Sequence, residues 1–519
     1  MEIKTNTSYV KNIKCADAYT ESRADYSLPD YLGDMRKILF TEASLRPSGR
    51  FAGGDEVEFS GIVVYKVIYL DTDGKICSAE FSSDYDYSVK CSGENYKEST
   101  SETRISNYAV RLIGPRRISA SASLVGCVRI SQNESIEISG DALSFDNTAE
   151  VSAKRIEIRH TGLSNTVERE YAEQIARLDG AIADEVSVIY CSAEPWVESV
   201  ELSGDVVCVK GRLCILGVVQ NGENPAQSYE KTITYEENLD FEDADDYIKL
   251  IPEVMVTSLK PGVNATEDGC EVVMSVILES YAVGEGNSSV EIITDGYLKT
   301  SETENRYDNM TFSRLVGASS VKGVHNAEFD RSEIESDSIS EIVFLTATPK
   351  IERVEMTDDG VSLFGEIRYS GIASDTTDGK ISYVSLKFTS PFATNVNIDC
   401  QNCSNLHPEA RVLARGASAS LDGSKLYASC VLESYATVCS EDSERILTSS
   451  VKLDCEVMRN AESSVVVYYP DQGDTLFSVA KRFRSSSIKI AKDNGITENV
   501  FSSDNPQGSL SGIKKLLIY

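Results

Sequence analysis

The stretch VILESYAV at 276–283 returns as VLESYATV at 431–438. Leu278-Glu279-Ser280-Tyr281-Ala282 matches Leu432-Glu433-Ser434-Tyr435-Ala436 without a gap, 154 residues apart. Both copies have the β-branched and aromatic composition of a strand. A strand phrase written twice at long range points to a duplicated structural unit, since self-similarity at a fixed period is how repeat architectures appear in a sequence.

The same offset holds elsewhere. VESVEL at 197–202 lies 154 residues before IERVEM at 351–356, and Gly211 and Gly217 lie 154 before Gly365 and Gly371. DEVSVIYCSAEP at 184–195 corresponds to SEIVFLTATP at 340–349. A fainter copy lies upstream, where IEISGDALSFDNTAE at 136–150 precedes VEIITDGYLKTSETE at 290–304 and Gly61 aligns with Gly211 at an offset of 150. The four-residue difference is a loop insertion, which surface connections tolerate. Runs such as VEFSGIVVYKVIYL, KTITYEENLDF and EVVMSVILESYAV read as strands, punctuated by turn signals at DTDG (71–74), NGEN (221–224), DDG (358–360) and TDG (377–379). The expectation is a mostly β chain: three tandem β-sandwich-like repeats at 20–158, 159–305 and 306–458, with brief helices such as EREYAEQIARL at 168–178 near the junctions. Glycines inside strand patterns mark bulges or close backbone approaches.

Bulk properties narrow the function. The chain has 519 residues, 41% of them apolar and 25% charged, and a net charge of −32. So acidic a surface repels phosphate backbones and anionic lipid, which excludes nucleic acid as a natural partner. No run reaches the roughly 20 apolar residues of a membrane span. The first residues, MEIKTNTSYVKNIKCADAYTESRADY, have no apolar core of a signal peptide, and thirteen scattered cysteines without an export signal fit a reducing compartment. Most of them sit in apolar alternating runs and read as small buried hydrophobes.

After Arg459 the pattern changes. The segment 462–519 reads as strand, helix, helix, strand, a small α+β module. Asp474 is placed to cap the first helix, and Leu476, Val479, Ala480 and Phe483 form its apolar stripe. Ser486 or Ser487 caps the second, Ile490 and Ala491 face inward, Gly495 after Asn494 supplies a left-handed stop, and Leu516-Leu517-Ile518 is the returning strand. From 465 on, seven basic residues stand against five acidic ones, a net of +2 that leaves −34 for the rest. A slightly basic head on a strongly acidic body suggests that the end module docks while the body spaces or recruits.

The module resembles a LysM domain through YYPDQGDTLFSVAKRF at 468–483 and IAKDNGI at 490–496, with a loop from Thr497 to Leu510 longer and more acidic than the family pattern. That resemblance covers about 55 residues and implies a groove near Gly473, Asp474, Thr475, Leu476, Asn494, Gly495 and Ile496, which in LysM domains commonly holds N-acetylglucosamine chains. Strand-rich repeats followed by a terminal LysM also resemble the spore-coat morphogenetic proteins that combine SPOCS domains with LysM. The runs around Gly61, Gly211 and Gly365, the strand VILESYAV and the unit ends IEISGDALS and VEIITDGYL carry the likeness. It implies a protein of the mother-cell cytoplasm at the forespore surface, touching coat morphogenetic proteins, with its LysM on a coat-basement ATPase. The alternative is a binder of peptidoglycan or N-acetylglucosamine in wall or cortex.

Catalytic signatures are scarce. His160, His325 and His407 stand in no HExxH pattern, and no GxxxxGK[ST] loop or nucleophile elbow occurs. Acidic pairs such as Glu236-Glu237 and Asp245-Asp246 are what 82 carboxylates produce on solvated faces. Cys400, Cys403 and His407 have metal-compatible spacing, but a structural zinc site needs a fourth ligand, and the preceding repeat has Asp246 and Lys249 at the cysteine positions. Trp196 is expected half-buried at a unit edge. The chain is therefore expected to be non-enzymatic and without cofactor.

Overall fold

The structure is a computed structural model that describes residues 6–14, 17–53, 56–90, 96–139, 148–330, 339–377, 380–400, 403–456, 465–496 and 507–519. The turn expected at 377–379 and the loop expected from Thr497 fall largely outside them. The fold is mostly β, with few helices.

Seven strands build the first unit. β1 (Asn6–Lys14) and β2 (Ala18–Ser27) open it; β3 (Met35–Gly53), β4 (Glu56–Asp71) and β5 (Ile76–Lys90) form a meander; β6 (Tyr96–Gly114) and β7 (Arg117–Glu137) form a hairpin. β7 pairs with β6 along one edge and with β2 and then β1 along the other. The second unit repeats this order with β8 (Ala149–Leu163), β9 (Val167–Asp179), the meander β10 (Val186–Ser203), β11 (Val206–Asn221) and β12 (Gln227–Asp240), and the hairpin β13 (Lys249–Thr266) and β14 (Gly269–Leu298). In the third, one long strand β15 (Ser301–Asp330) replaces the opening pair, before β16 (Ile339–Thr357), β17 (Gly360–Thr377), β18 (Lys380–Asn397), β19 (Leu406–Asp422) and β20 (Lys425–Glu456). Against expected starts at 20, 159 and 306, the first strands begin at Asn6, Ala149 and Ser301.

Within each unit the meander packs on the hairpin sheet. In the second, Val207, Val209, Leu213 and Ile215 from β11 meet Val272, Met274, Val276 and Leu278 from β14. The alternate residues of these strands supply the core, as a half-buried pleat requires. The glycines singled out by the repeat sit at bulges. Gly61, Gly211 and Gly365 stand opposite Tyr85, Tyr235 and Phe392, and the strand on their other side shifts register beside each of them. A Cβ at Gly61 would lie 2.7 Å from the Arg46 carbonyl; at Gly211 and Gly365 it would run into the carbonyls of Trp196 and Lys350. The bulge pushes a carbonyl onto the central strand, and only glycine leaves room for it.

The segment 168–178, expected as a helix, is strand β9, paired with β14 from Asp179 to Val167. A register shift at Val272/Val273 leaves Ile175 bulged, so Tyr171, Ile175 and Leu178 all reach the core. That bulge gives the apolar positions a spacing near four, which imitates a helical face. Before the terminal module, the helical turns among the described residues are two short 3-10 turns, Ala183–Glu185 and Ala244–Asp246, and both lie inside the second unit, between β9 and β10 and between β12 and β13, instead of at unit junctions.

Repeat-equivalent residues also join the units. Leu39 and Phe40, Ile189 and Tyr190, and Val343 and Phe344 converge with Ile68, Val218 and Ile372 in one buried cluster. The rings of Phe40, Tyr190 and Phe344 touch pairwise, with centroids 5.5, 5.0 and 4.4 Å apart. Each ring comes from the same repeat position, so the three meanders surround a common hub with pseudo-threefold character. A second shared cluster uses the far halves of the long strands, where Ile136, Ile158, Val290, Ile292, Phe312 and Ile446 pack together. Polar links add to these contacts: Lys66 Nζ donates to the Cys191 carbonyl at 2.7 Å, and the Ala226 amide donates to the Tyr383 hydroxyl at 2.8 Å. Trp196 lies against Gly416 of the third unit, whose amide donates to Glu194 at 2.8 Å.

Candidate functional site

The terminal module has strand β21 (Val466–Tyr468), helices α1 (Leu476–Phe483) and α2 (Ser487–Asp493), and strand β22 (Leu516–Ile518), which pairs antiparallel with β21. Leu476, Val479, Ala480, Ile490, Ala491, Leu516 and Ile518 fill its core, as their spacing implies, and Phe477 joins them. The cap of α1 is Thr475 instead of Asp474. Its hydroxyl accepts the Ser478 amide at 3.0 Å, and the Ser478 hydroxyl accepts the Thr475 amide at 2.9 Å, a reciprocal box. Asp474 accepts from the Tyr468 hydroxyl and the Asp471 amide and faces Arg482, which together hold its carboxyl below the usual range. Gly473 and Gly495 both take positive φ, at 96° and 68°, where glycine carries no steric penalty.

The residues expected to line a groove are occupied within the module. Leu476 is buried, and the amides of Leu476 and Phe477 donate to the carbonyls of Gly508 and Gln507, each at 3.0 Å. The Asn494 amide donates to the carbonyls of Ile490 and Leu517, and its oxygen accepts the Leu517 amide at 2.6 Å. Gly495 closes α2 and Ile496 packs on the core edge. Hydrogen bonds thus tie Thr475 and Leu476 to the 507–509 segment and Asn494 to β22.

The module does not hang free. Tyr297, near the end of β14, is fully buried in the module's core cluster, edge-on to Phe477 with centroids 5.3 Å apart, and its hydroxyl donates to the Ser485 carbonyl at 2.6 Å. Lys481 Nζ lies 2.7 Å from both Asp295 oxygens, and Arg484 pairs with Glu302 and donates to the Leu298 carbonyl. Arg484 is itself the left-handed C-cap of α1, with φ of 50°. Neither expected serine caps α2 with its side chain; instead Glu150 of β8 accepts the Ser487 amide and hydroxyl, each at 3.2 Å. A carboxylate against a helix N-terminus and cations at a helix C-terminus both suit the backbone dipole. The basic corner of the head is therefore spent on the acidic body of its own chain.

Sequence reasoning missed this seat. Its signal lies in the repeat: Asp295 and Tyr297 stand where the third unit has Ser449 and Val451, with matching cross-strand partners, Ser152 and Glu150 against Arg306 and Glu304. The first unit also carries an acid at the first of these positions, Asp141, but has Leu143 at the second, so the aromatic Tyr297 is what one copy alone adds.

The thiol–histidine set does not assemble. Among the described residues no three His, Cys, Asp or Glu side chains converge as a metal ion requires. Cys403 Sγ takes Arg314 at 3.7 Å, while His407 is exposed and lies 3.7 Å from Glu441. Cys191, Cys270, Cys430 and Cys439 are buried, as expected of small apolar side chains, and burial raises each thiol pKa. No helix among the described residues is long and apolar enough to cross a membrane. Compared with family models, curated proteins and solved structures, the chain matches none.

Proposed function

We propose that the chain is a non-enzymatic assembly protein of the spore envelope: three SPOCS-type repeats form its body and a LysM-type module its docking head. In this reading it works in the mother-cell cytoplasm at the forespore surface. The head engages a coat-basement ATPase and the body recruits coat morphogenetic proteins through its strand edges and loops, many weak contacts adding by multivalency. The observation that carries the choice of a protein partner over a glycan is the state of the groove residues. The backbone donors of Leu476 and Phe477 and the side chain of Asn494 are already bonded inside the module. A sugar would have to displace those bonds, and unpaired buried polar groups cost roughly 1–3 kcal/mol each.

The second reading, a peptidoglycan or N-acetylglucosamine binder, rests on the LysM resemblance. Affinity capture from sporulating cells with the intact chain, and with one lacking 462–519, separates the two. Recovery of the basement ATPase only by the intact chain is the expected result. Recovery of wall fragments, or titration of chitin oligomers by the intact chain with loss on Thr475→Ala, overturns it.

A further inference from the structure

Cys400 and Cys403 do not gather a metal with His407, yet they stand close to each other. The Cys403 amide donates to the Cys400 carbonyl at 3.3 Å. A bond across four residues keeps its end Cα atoms within about 7 Å, and a disulfide spans roughly 4.4–6.8 Å between them. Both side chains are half-buried, so a small reagent can reach them. A guanidinium faces one of the two: Arg314 Nη2 donates to Cys403 Sγ at 3.7 Å. Glu157 of β8 and Asp442 of β20 flank the same guanidinium at 3.9 and 4.0 Å and keep it at this corner. Cys400 packs on the edge of the third unit's core, where burial, with Cys403 beside it, raises its thiol pKa. The second unit has Asp246 and Lys249 at these two positions, so the repeat folds without the thiols. Cys208 and Cys214, six residues apart on β11, are separated by about 20 Å of strand and cannot bridge.

We propose that Cys400 and Cys403 are a redox-active pair that closes to a disulfide when a peroxide reaches the chain. Cys403 is the attacking thiol: its sulfur faces Arg314, whose N–H groups can also hold the departing hydroxide. The Cys403 sulfur takes one oxygen from the peroxide, the O–O bond breaks, and hydroxide leaves to become water with the thiol's proton. The Cys400 sulfur then attacks the Cys403 sulfenic acid, the S–O bond breaks, and the second oxygen leaves as water with the Cys400 proton. The two thiols lose two electrons between them, and one peroxide becomes two waters. A small-molecule thiol reverses the step by exchange, so the bridge responds to oxidant instead of building the fold.

The test uses the full chain, reduced, freed of reductant, treated with hydrogen peroxide, alkylated with N-ethylmaleimide in urea and cut with trypsin. The tryptic peptide 388–411 carries Cys400 and Cys403 and no other cysteine. It is expected two hydrogens lighter and without maleimide, at a peroxide dose that leaves Cys270 and Cys430 alkylated, and dithiothreitol should restore both thiols. Cys400→Ser should instead leave Cys403 as a sulfenic acid that dimedone traps. Arg314→Gln should slow disulfide formation with unchanged circular dichroism. A wild-type peptide carrying two maleimides after peroxide would overturn the pair. Dimedone capture as strong in the wild type as in Cys400→Ser would overturn Cys400 as the resolving thiol, and an unchanged rate in Arg314→Gln would overturn the order of attack. None of these outcomes bears on the coat-basement partner, which is read by capture.

Discussion

At the scale of single residues, the three spaced glycines are the clearest link from sequence to structure. Their spacing shows in the chain, and a glycine inside a strand pattern announces a bulge. The structure supplies the reason: a carbonyl is pressed onto the central strand in every unit, beneath an aromatic ring from the neighbouring strand. Gly211→Ala would force a backbone carbonyl aside, since its Cβ would run into Trp196 O as well as the end of the Tyr235 ring. A loss of roughly 1–3 kcal/mol is expected in urea unfolding, the range for overpacking a close-packed site. Gly74, at a turn with open space around it, serves as the control for added volume, although its φ of 87° still disfavours a side chain. An unchanged midpoint for Gly211→Ala would contradict the close approach.

At the scale of elements, the strands were legible and the exceptions are instructive. β9 was hidden because one bulged residue, Ile175, turned a period of two into one near four. The α1 cap shifted by one residue because Asp474 finds stronger partners in Tyr468 and Arg482 than in the helix amides. The seat of the head was illegible for a different reason: its ligands come from β8, β14 and β15, and the sequence puts Tyr297 almost two hundred residues before the core it completes. Tyr297→Ala removes an aromatic anchor whose deletion from a core costs about 3–5 kcal/mol. Hydrogen exchange should then quicken in α1 and α2 while the hub strands β4, β11 and β17 keep their protection. Exchange that stays slow in both helices would mean that the head does not depend on the seat.

At the scale of the whole molecule, the repeat predicted three units but not how they meet. Hub residues such as Phe40, Tyr190 and Phe344 look like any other strand hydrophobes in the sequence. Only the pseudo-threefold arrangement turns their outward faces into a second interior. Glu42 lies at this centre within reach of the Tyr190 hydroxyl, at 3.3 Å. Burial raises its carboxyl pKa above the ordinary 4.5, with Lys66 and Tyr190 pulling it partly back. The folded state therefore holds the proton more tightly than the unfolded one. That contribution to stability is complete below pH 4.5 and fades as pH rises through the folded pKa. Glu42→Gln should accordingly be near neutral at acid pH and more stable than wild type above the folded pKa, read from urea midpoints of both proteins at both pH values; a variant less stable than wild type above the folded pKa would reverse the sign and contradict the burial.

The hub itself is open to a direct measurement. Phe40 and Phe344 lie 304 residues apart in the chain yet their rings meet edge to face with centroids 5.0 Å apart. A double-mutant cycle of Phe40→Ala and Phe344→Ala, followed by urea unfolding, isolates what that contact contributes. A shared hub predicts a coupling of roughly 0.5–1.5 kcal/mol between first and third units. Effects that add to within about 0.3 kcal/mol would show that the two rings do not meet and that the repeats stand apart.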